Sequence, residues 1–133
     1  MTESSTRIGL VLDCTDPERL AEFWAPALGY VNLGYVNLGL ADPYVALFPD
    51  GRPGPKLLLQ RVDEPKTIKN RMHFDIEVAD IEAGADRLGA LGATRVSAGP
   101  CSEHGSSWLL MADPEGNEFC VCDAGQPAAD NGG

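Results

Sequence analysis

The sequence predicts an α+β protein of two tandem βαβββ modules, whose strands curl into one eight-stranded mixed sheet with the helices outside. Three observations predict it. A short apolar strand, an acid-started helix closed by Leu-Gly and a set of further strands occurs twice, Asp16–Gly29 being echoed by Asp80–Gly92 about half a chain later. The strands are short and bounded by Gly- and Pro-rich turns. Each half has one helix, which covers one face of its sheet and leaves the other bare, so the halves are expected to bend round a shared hollow lined by alternate strand residues.

The first strand is the apolar run Ile8–Leu12, ending at Asp13. Thr15-Asp16-Pro17-Glu18 then supplies a capping oxygen, a first-turn proline and an acid at the positive helix end. Leu20, Phe23, Trp24 and Leu28 recur at helical spacing and give this helix an apolar face, which assigns Trp24 to the core, and Gly29 closes it. Residues 29–38 read Gly-Tyr-Val-Asn-Leu twice in succession, which fits two short strands or a hairpin, or else a duplication that lengthens a loop. Strands follow at Tyr44–Phe48 and Lys56–Val62, separated by a turn rich in Pro and Gly.

After a polar connector, Asp63–Asn70, the pattern restarts with a strand at Met72–Val78 and a helix over Asp80–Leu91 ending at Gly92. Arg95–Ser97, Trp108–Ala112 and Glu118–Cys122 complete the second set of strands. The Asp113-Pro114-Glu115-Gly116-Asn117 run is a hairpin turn, with Pro presetting the first turn dihedral and Gly supplying a positive φ. The expected organisation is a disordered start over 1–6, one domain over 7–123 with modules of about 7–62 and 71–123, and a flexible tail over 124–133.

In a chain of 133 residues with 44% hydrophobic and 23% charged content, one compact domain can bury a real core without staples. The formal net charge of -10 excludes a nucleic-acid partner, because phosphate binding needs clustered cations. Lys66, Lys69 and Arg71 form the one basic stretch, read as a site for a single anion or as a solvated loop. No run approaches the ~20 apolar residues that span a bilayer. The start of the chain lacks a basic segment followed by an apolar run, so a cytoplasmic location is expected and the four cysteines are read as thiols.

Taken in order, Leu12-Asp13-Cys14-Thr15-Asp16-Pro17 leading into Leu20-Ala21-Glu22-Phe23-Trp24, then Leu28-Gly29-Tyr30, Asn70-Arg71-Met72-His73-Phe74-Asp75, and Met111-Ala112-Asp113-Pro114-Glu115-Gly116-Asn117-Glu118-Phe119 resemble the vicinal oxygen chelate superfamily, in particular its glyoxalase-like domains. The resemblance covers roughly residues 7–123 and implies the glyoxalase/bleomycin resistance fold, a small-molecule ligand or substrate, and a homodimer. Metal enzymes of that superfamily carry four ligands on the inner face of the cup. Carried over residue by residue, those positions fall near Gly9 and on Gln60, His73 and Cys120. Gly9 has no side chain to offer, so the set is incomplete.

His73 is the best candidate ligand, with Gln60 able to add a carbonyl oxygen and Cys120 a thiolate. A divalent metal (nickel, zinc, iron or manganese) is the cofactor such a set would take. The alternative is that His73 simply lines the cavity or is hydrogen-bonded there. A zinc site from Cys120, Cys122, His73 and His104 is disfavoured, because Cys-x-Cys is not the usual knuckle spacing. His73 and Asp75 could instead act catalytically, as a general base held by a carboxylate. Tyr44 and Trp108 are aromatic walls for a ligand, and His104 lies in a Gly- and Ser-rich loop that could close over it or stay exposed. The leading expectation is a small-molecule binder that lacks the full metal set. A metal-dependent lyase, isomerase or dioxygenase is the rival, and a homodimeric interaction domain the third reading.

Overall fold

The computed structural model describes residues 8–36, 44–103 and 106–123. The expected disordered start, the expected flexible tail and His104 lie outside the described residues. The chain divides into two compact units, Met1–Pro65 and Lys66–Gly133.

The first unit runs β1 (Leu10–Cys14), α1 (Pro17–Leu28), β2 (Tyr30–Val36), β3 (Tyr44–Pro49) and β4 (Leu57–Arg61), in a sheet ordered β1-β4-β3-β2. Strand β1 starts and ends two residues later than the apolar run suggested. Its parallel ladder with β4 runs from Leu10 opposite Leu57 to Cys14 opposite Arg61, so pairing carries the strand through the polar Asp13. Ile8, 75% exposed, falls outside it.

The caps of α1 work as expected: the Asp16 carboxylate accepts from Arg19 N at 3.3 Å, and Gly29 adopts φ +69°. A left-handed C-cap suits glycine, which has no Cβ to clash. The helix buries Leu20, Phe23 and Trp24, the last two in an edge-to-face contact with centroids 4.9 Å apart, so Trp24 belongs to the core as expected. They lie with Val45, Leu47, Leu57 and Leu59 among the fully buried side chains of this unit.

Over the described residues, Tyr30–Val36 of the tandem Gly-Tyr-Val-Asn-Leu copies form one strand, and Asn37 and Leu38 lie outside the described residues. Tyr30, Val31 and Asn32 lie opposite Pro49, Phe48 and Leu47, and the register shifts before Tyr35 and Val36 pair with Val45 and Tyr44. Gly34 takes up the irregularity at φ +73°, its N–H donating to Asn32 Oδ1 at 2.7 Å.

The second unit runs β5 (Phe74–Val78), α2 (Ile81–Leu91), β6 (Thr94–Arg95), β7 (Cys101–Glu103), β8 (Ser106–Ala112) and β9 (Glu118–Asp123). Its order, β5-β9-β8-β6 with β7 also on β8, repeats that of the first unit. Among the described residues there are nine strands where eight are expected, because the edge strand is broken. Val96 N and Ser97 N both donate to Leu110 O, at 2.8 and 3.2 Å, and pairing resumes at Cys101 opposite Trp108. The strands hydrogen-bond in two sheets of four and five.

Asp80 caps α2 through Ala83 N at 3.1 Å, the counterpart of Asp16 on α1. Arg95 ties β6 to α2 through Glu82 at 3.0 Å and Asp86 at 2.9 Å. The Asp113–Asn117 turn is built round one buried carboxylate. Asp113 Oδ1 accepts from Glu115 N and Asn117 N, both at 2.9 Å, and Asn117 Nδ2 donates to Oδ2 at 3.0 Å. Gly116 has the expected positive φ, +89°. The turn sets Ala112 opposite Glu118, and with it the register of β8 on β9. Among the described residues no helix is long and apolar enough to cross a membrane.

Candidate ligand and metal site

Each sheet has a helix-covered face and an open one, and the register states which residues share each. In the second unit α2 packs on β8 and β9, where Leu109, Met111, Phe119 and Val121 are fully buried. The alternate residues face the other way. Asp75 lies opposite Cys120 and Glu77 opposite Cys122, while Trp108, Leu110 and Ala112 on β8 lie opposite Cys122, Cys120 and Glu118. Cys101, opposite Trp108, extends the row onto β7.

His73 sits just before β5, and its Nε2 is 3.3 Å from Asp75 Oδ1, with side-chain exposures of 46% and 62%. The donor atoms of His73, Asp75 and Cys120 all lie within 4.8 Å of one another. The sequence named these three residues, and the parallel ladder of β5 on β9 brings them together.

Gln60 and Tyr44 also meet, on the open face of the first sheet. Tyr44 lies opposite Gln60, and Gln60 opposite Asp13. Asp13–Gln60 is the fourth pair of the β1–β4 ladder and Glu77–Cys122 the fourth of the β5–β9 ladder. Within the internal repeat, Gln60 therefore corresponds to Cys122, and Cys120 to Leu58.

Cys101 and Asp13 were not singled out by sequence reasoning. Cys101 stands in a three-residue strand too short to show alternation, and Asp13 reads as the end of a strand. Only the inter-strand register shows which face each joins.

Burial is the main cause that pushes the Cys120 thiol up, with the Asp75 carboxylate adding to it and Lys69 opposing. The Cys122 thiol is pushed up to about 11, again chiefly by burial, then by Asp75 and Glu77. Both are neutral thiols at pH 7, so a Cys120 thiolate would form only together with a bound cation.

Glu118 Oε1 is buried without a hydrogen bond, and Lys69 Nζ stands 3.7 Å from it, an ion-pair distance too long for a hydrogen bond. Lys69 is thus engaged with an acid, which weakens the reading of Lys66, Lys69 and Arg71 as an anion site. The open face carries Asp75, Glu77 and Glu118 beside His73, a balance that favours cations and hydrogen-bond donors over anions.

A family model described as a glyoxalase-like domain matches residues 9–122. No curated protein matches the sequence. Among solved structures, the chain is similar to a member of the glyoxalase/bleomycin resistance protein/dioxygenase superfamily from Sphaerobacter thermophilus, with 18% identity, 89% of this chain and 98% of that one covered, and a TM-score of 0.67. It is similar to TnmS3, an antibiotic binding protein from Streptomyces sp. CB03234, with 17% identity, coverage of 91% and 98%, and a TM-score of 0.64. It is also similar to the fosfomycin resistance protein FosX from Listeria monocytogenes, complexed with Mn(II) and 1S,2S-dihydroxypropylphosphonic acid, with 12% identity, coverage of 94% for each chain and a TM-score of 0.69. At these identities the likeness is one of fold.

Proposed function

The chain belongs to the glyoxalase-like domain family, and on that premise we propose that it binds a small organic molecule against the open face of its second sheet, without the family's full metal-ligand set. One observation carries the reading: the half-buried Trp108 shares that face with the exposed His73–Asp75 pair. An indole wall suits a planar apolar group, and an imidazole beside a carboxylate suits polar substituents. Along β9 the row at Cys120, whose sulfur lies within 4.8 Å of the His73 and Asp75 donor atoms, and the row at Cys122, beside Trp108, are two residues apart, about 7 Å at ~3.3 Å per residue. A molecule of about two fused rings spans that distance. The acidic character of the face favours an uncharged or cationic ligand. The similarity to an antibiotic binding protein supports the same class of role.

A thermal-shift screen with planar aromatic and polyketide-like compounds tests this. A ligand at 100 times its Kd stabilises the fold by about 2.7 kcal/mol. The shift should shrink in Trp108→Ala. A response that survives Trp108→Ala unchanged moves the site elsewhere, and a panel without any response removes the reading in favour of a homodimeric interaction role, which light scattering would then examine. A cytoplasmic location goes with the binder reading, and cell fractionation checks it.

A metal-dependent lyase, isomerase or dioxygenase is the second reading, favoured by the convergence of His73, Asp75 and Cys120. Imidazole, carboxylate and thiolate are donors that zinc accepts, and a zinc ion would polarise a bound carbonyl or lower the pKa of a water. Gly9 supplies no donor, so the fit is partial. His73 and Asp75 would there hold the metal or position a proton. Elemental analysis of tag-free protein purified without chelator decides: one equivalent of metal, lost in His73→Ala, would establish a metal centre.

A further inference from the structure

The first unit carries a cleft that takes no part in the function proposed above. Its volume is about 840 Å3, within the ~300–1,000 Å3 range of small-molecule sites, and Ile8, Gly9, Leu10, Phe48, Pro55 and Lys56 line it. We infer that this cleft is a second binding site, for a small organic anion with an apolar body and a single carboxylate, held by the Lys56 ammonium. The inference does not depend on the site proposed on the second sheet.

The placement follows from strand register. Leu47 and Leu57 are buried opposite one another on the helix-covered face, so the adjoining Phe48 and Lys56 face the open side. Leu10 pairs with Leu57 and its N–H donates to Lys56 O at 3.1 Å, which sets Gly9 beside Lys56. A row of Phe48, Lys56 and Gly9 thus crosses β3, β4 and β1. A Cβ at Gly9 would lie 3.2 Å from Lys56 Cε and 3.8 Å from its Cγ, so the lysine stem runs across the space the glycine leaves.

The internal repeat inverts the charge at this corner. Gly9 and Lys56 stand one residue before the first pair of the β1–β4 ladder, and His73 and Glu118 stand in the same place before the β5–β9 ladder. The corner is basic in the first unit and acidic in the second, so the two select ligands of opposite charge. Among the described residues no carboxylate pairs with Lys56, so an arriving anion has none to displace. Lys56 is also the one charged residue of the lining, which matches one negative charge, whereas a phosphate monoester brings a second. Ile8 and the 37% exposed Phe48 supply apolar surface for a hydrocarbon body.

The far wall is fixed by the fold itself. Arg52 Nη2 donates to Leu28 O at 2.6 Å and to Gly29 O at 3.0 Å, and the Tyr30 hydroxyl donates to Pro55 O at 2.7 Å. Gly54 packs so closely that a Cβ there would lie 3.2 Å from the Tyr30 hydroxyl and 3.3 Å from Pro49 Cγ. A wall held in place in this way lowers the ordering cost of binding.

Titration of 15N-labelled full-length protein with naphthoate tests this, with the neutral naphthamide and with naphthyl phosphate as matched probes. The amide signals of Gly9, Leu10, Phe48 and Gly54 should move saturably with naphthoate. Trp108→Ala should leave that affinity unchanged, which separates this site from the one proposed on the second sheet. Lys56→Gln should weaken naphthoate about tenfold, to the level of naphthamide, through loss of a charge-assisted hydrogen bond. Lys56→Arg should restore most of the affinity, and Phe48→Ala should weaken naphthoate and naphthamide alike. No saturable shift at those amides, or an affinity unchanged in Lys56→Gln, would overturn the site. Tighter binding of naphthyl phosphate than of naphthoate would overturn the assignment to a carboxylate.

Discussion

His73 Nε2 and Asp75 Oδ1 stand 3.3 Å apart at the mouth of β5, with the Cys120 sulfur within 4.8 Å of the donor atoms of both. Alternation puts His73 and Asp75 on one face, and the parallel ladder sets Cys120 beside them. A three-donor cluster that draws on a protonated thiol binds a borderline cation weakly and with release of a proton. Zinc titration against a competing chelating dye should give one equivalent, weakened about 10- to 100-fold in Asp75→Asn. An unchanged affinity would show that the carboxylate is not part of the set.

The thiols should differ in reactivity in chelator-treated protein. Cys101 is exposed and should be alkylated first, and the buried Cys14 last. Cys122, its pKa pushed up to about 11, should react about tenfold faster for each pH unit from 8 to its plateau. The linkage has a definite sign. Between the ordinary 9.0 and about 11 the unfolded chain has lost this proton while the folded one keeps it, so stability falls as pH rises through that window. Cys101, Cys120 and Cys122 share the tryptic peptide 96–133, so fragmentation mass spectrometry of that peptide after timed alkylation reads the order, and a Cys122 rate independent of pH would contradict it.

Two glycines of α2 should respond with opposite signs. A Cβ at Gly84 would lie 3.0–3.2 Å from the Val78 side chain, whereas at Gly89 nothing lies within 4 Å. The β-branched Val78 has little rotamer freedom with which to give way. Gly89→Ala should therefore stabilise by up to about 1 kcal/mol through helix propensity. Gly84→Ala should destabilise by about 1–2 kcal/mol, as overpacking outweighs the same gain. Urea unfolding midpoints compare the two directly.

Asp113→Ala should cost about 2–4 kcal/mol, because it strips the acceptor from Glu115 N and Asn117 N and leaves buried donors unsatisfied. Asn117→Ala removes only a side-chain donor to the same carboxylate and should cost less, about 1–2 kcal/mol. Equal losses in chemical denaturation would show that the Asp113 bonds to the backbone are not what matters.

The two N-caps occupy equivalent places in the repeat, each carboxylate accepting from the backbone N–H three residues on. Asp16→Ala and Asp80→Ala should each lower stability by about 1 kcal/mol. Helix-specific loss of amide protection, measured by hydrogen exchange, would separate a fraying first turn from a general loss.

Both helices, their caps and the turn at Asp113–Asn117 were legible in the residue order because each depends on groups a few positions apart: a carboxylate three residues before an N–H, a glycine at a helix end, apolar side chains at helical spacing. The same holds for the doubled pattern that names the fold family. The extension of β1 through Asp13, the break between β6 and β7, the joining of Tyr30–Val36 into one bulged strand and the place of Cys101 beside Trp108 were settled instead by pairing between strands distant in sequence. Register is a long-range quantity, set by which backbone partners are satisfied together, and period-two alternation reveals a strand's two faces without saying which residue of a neighbour each one meets.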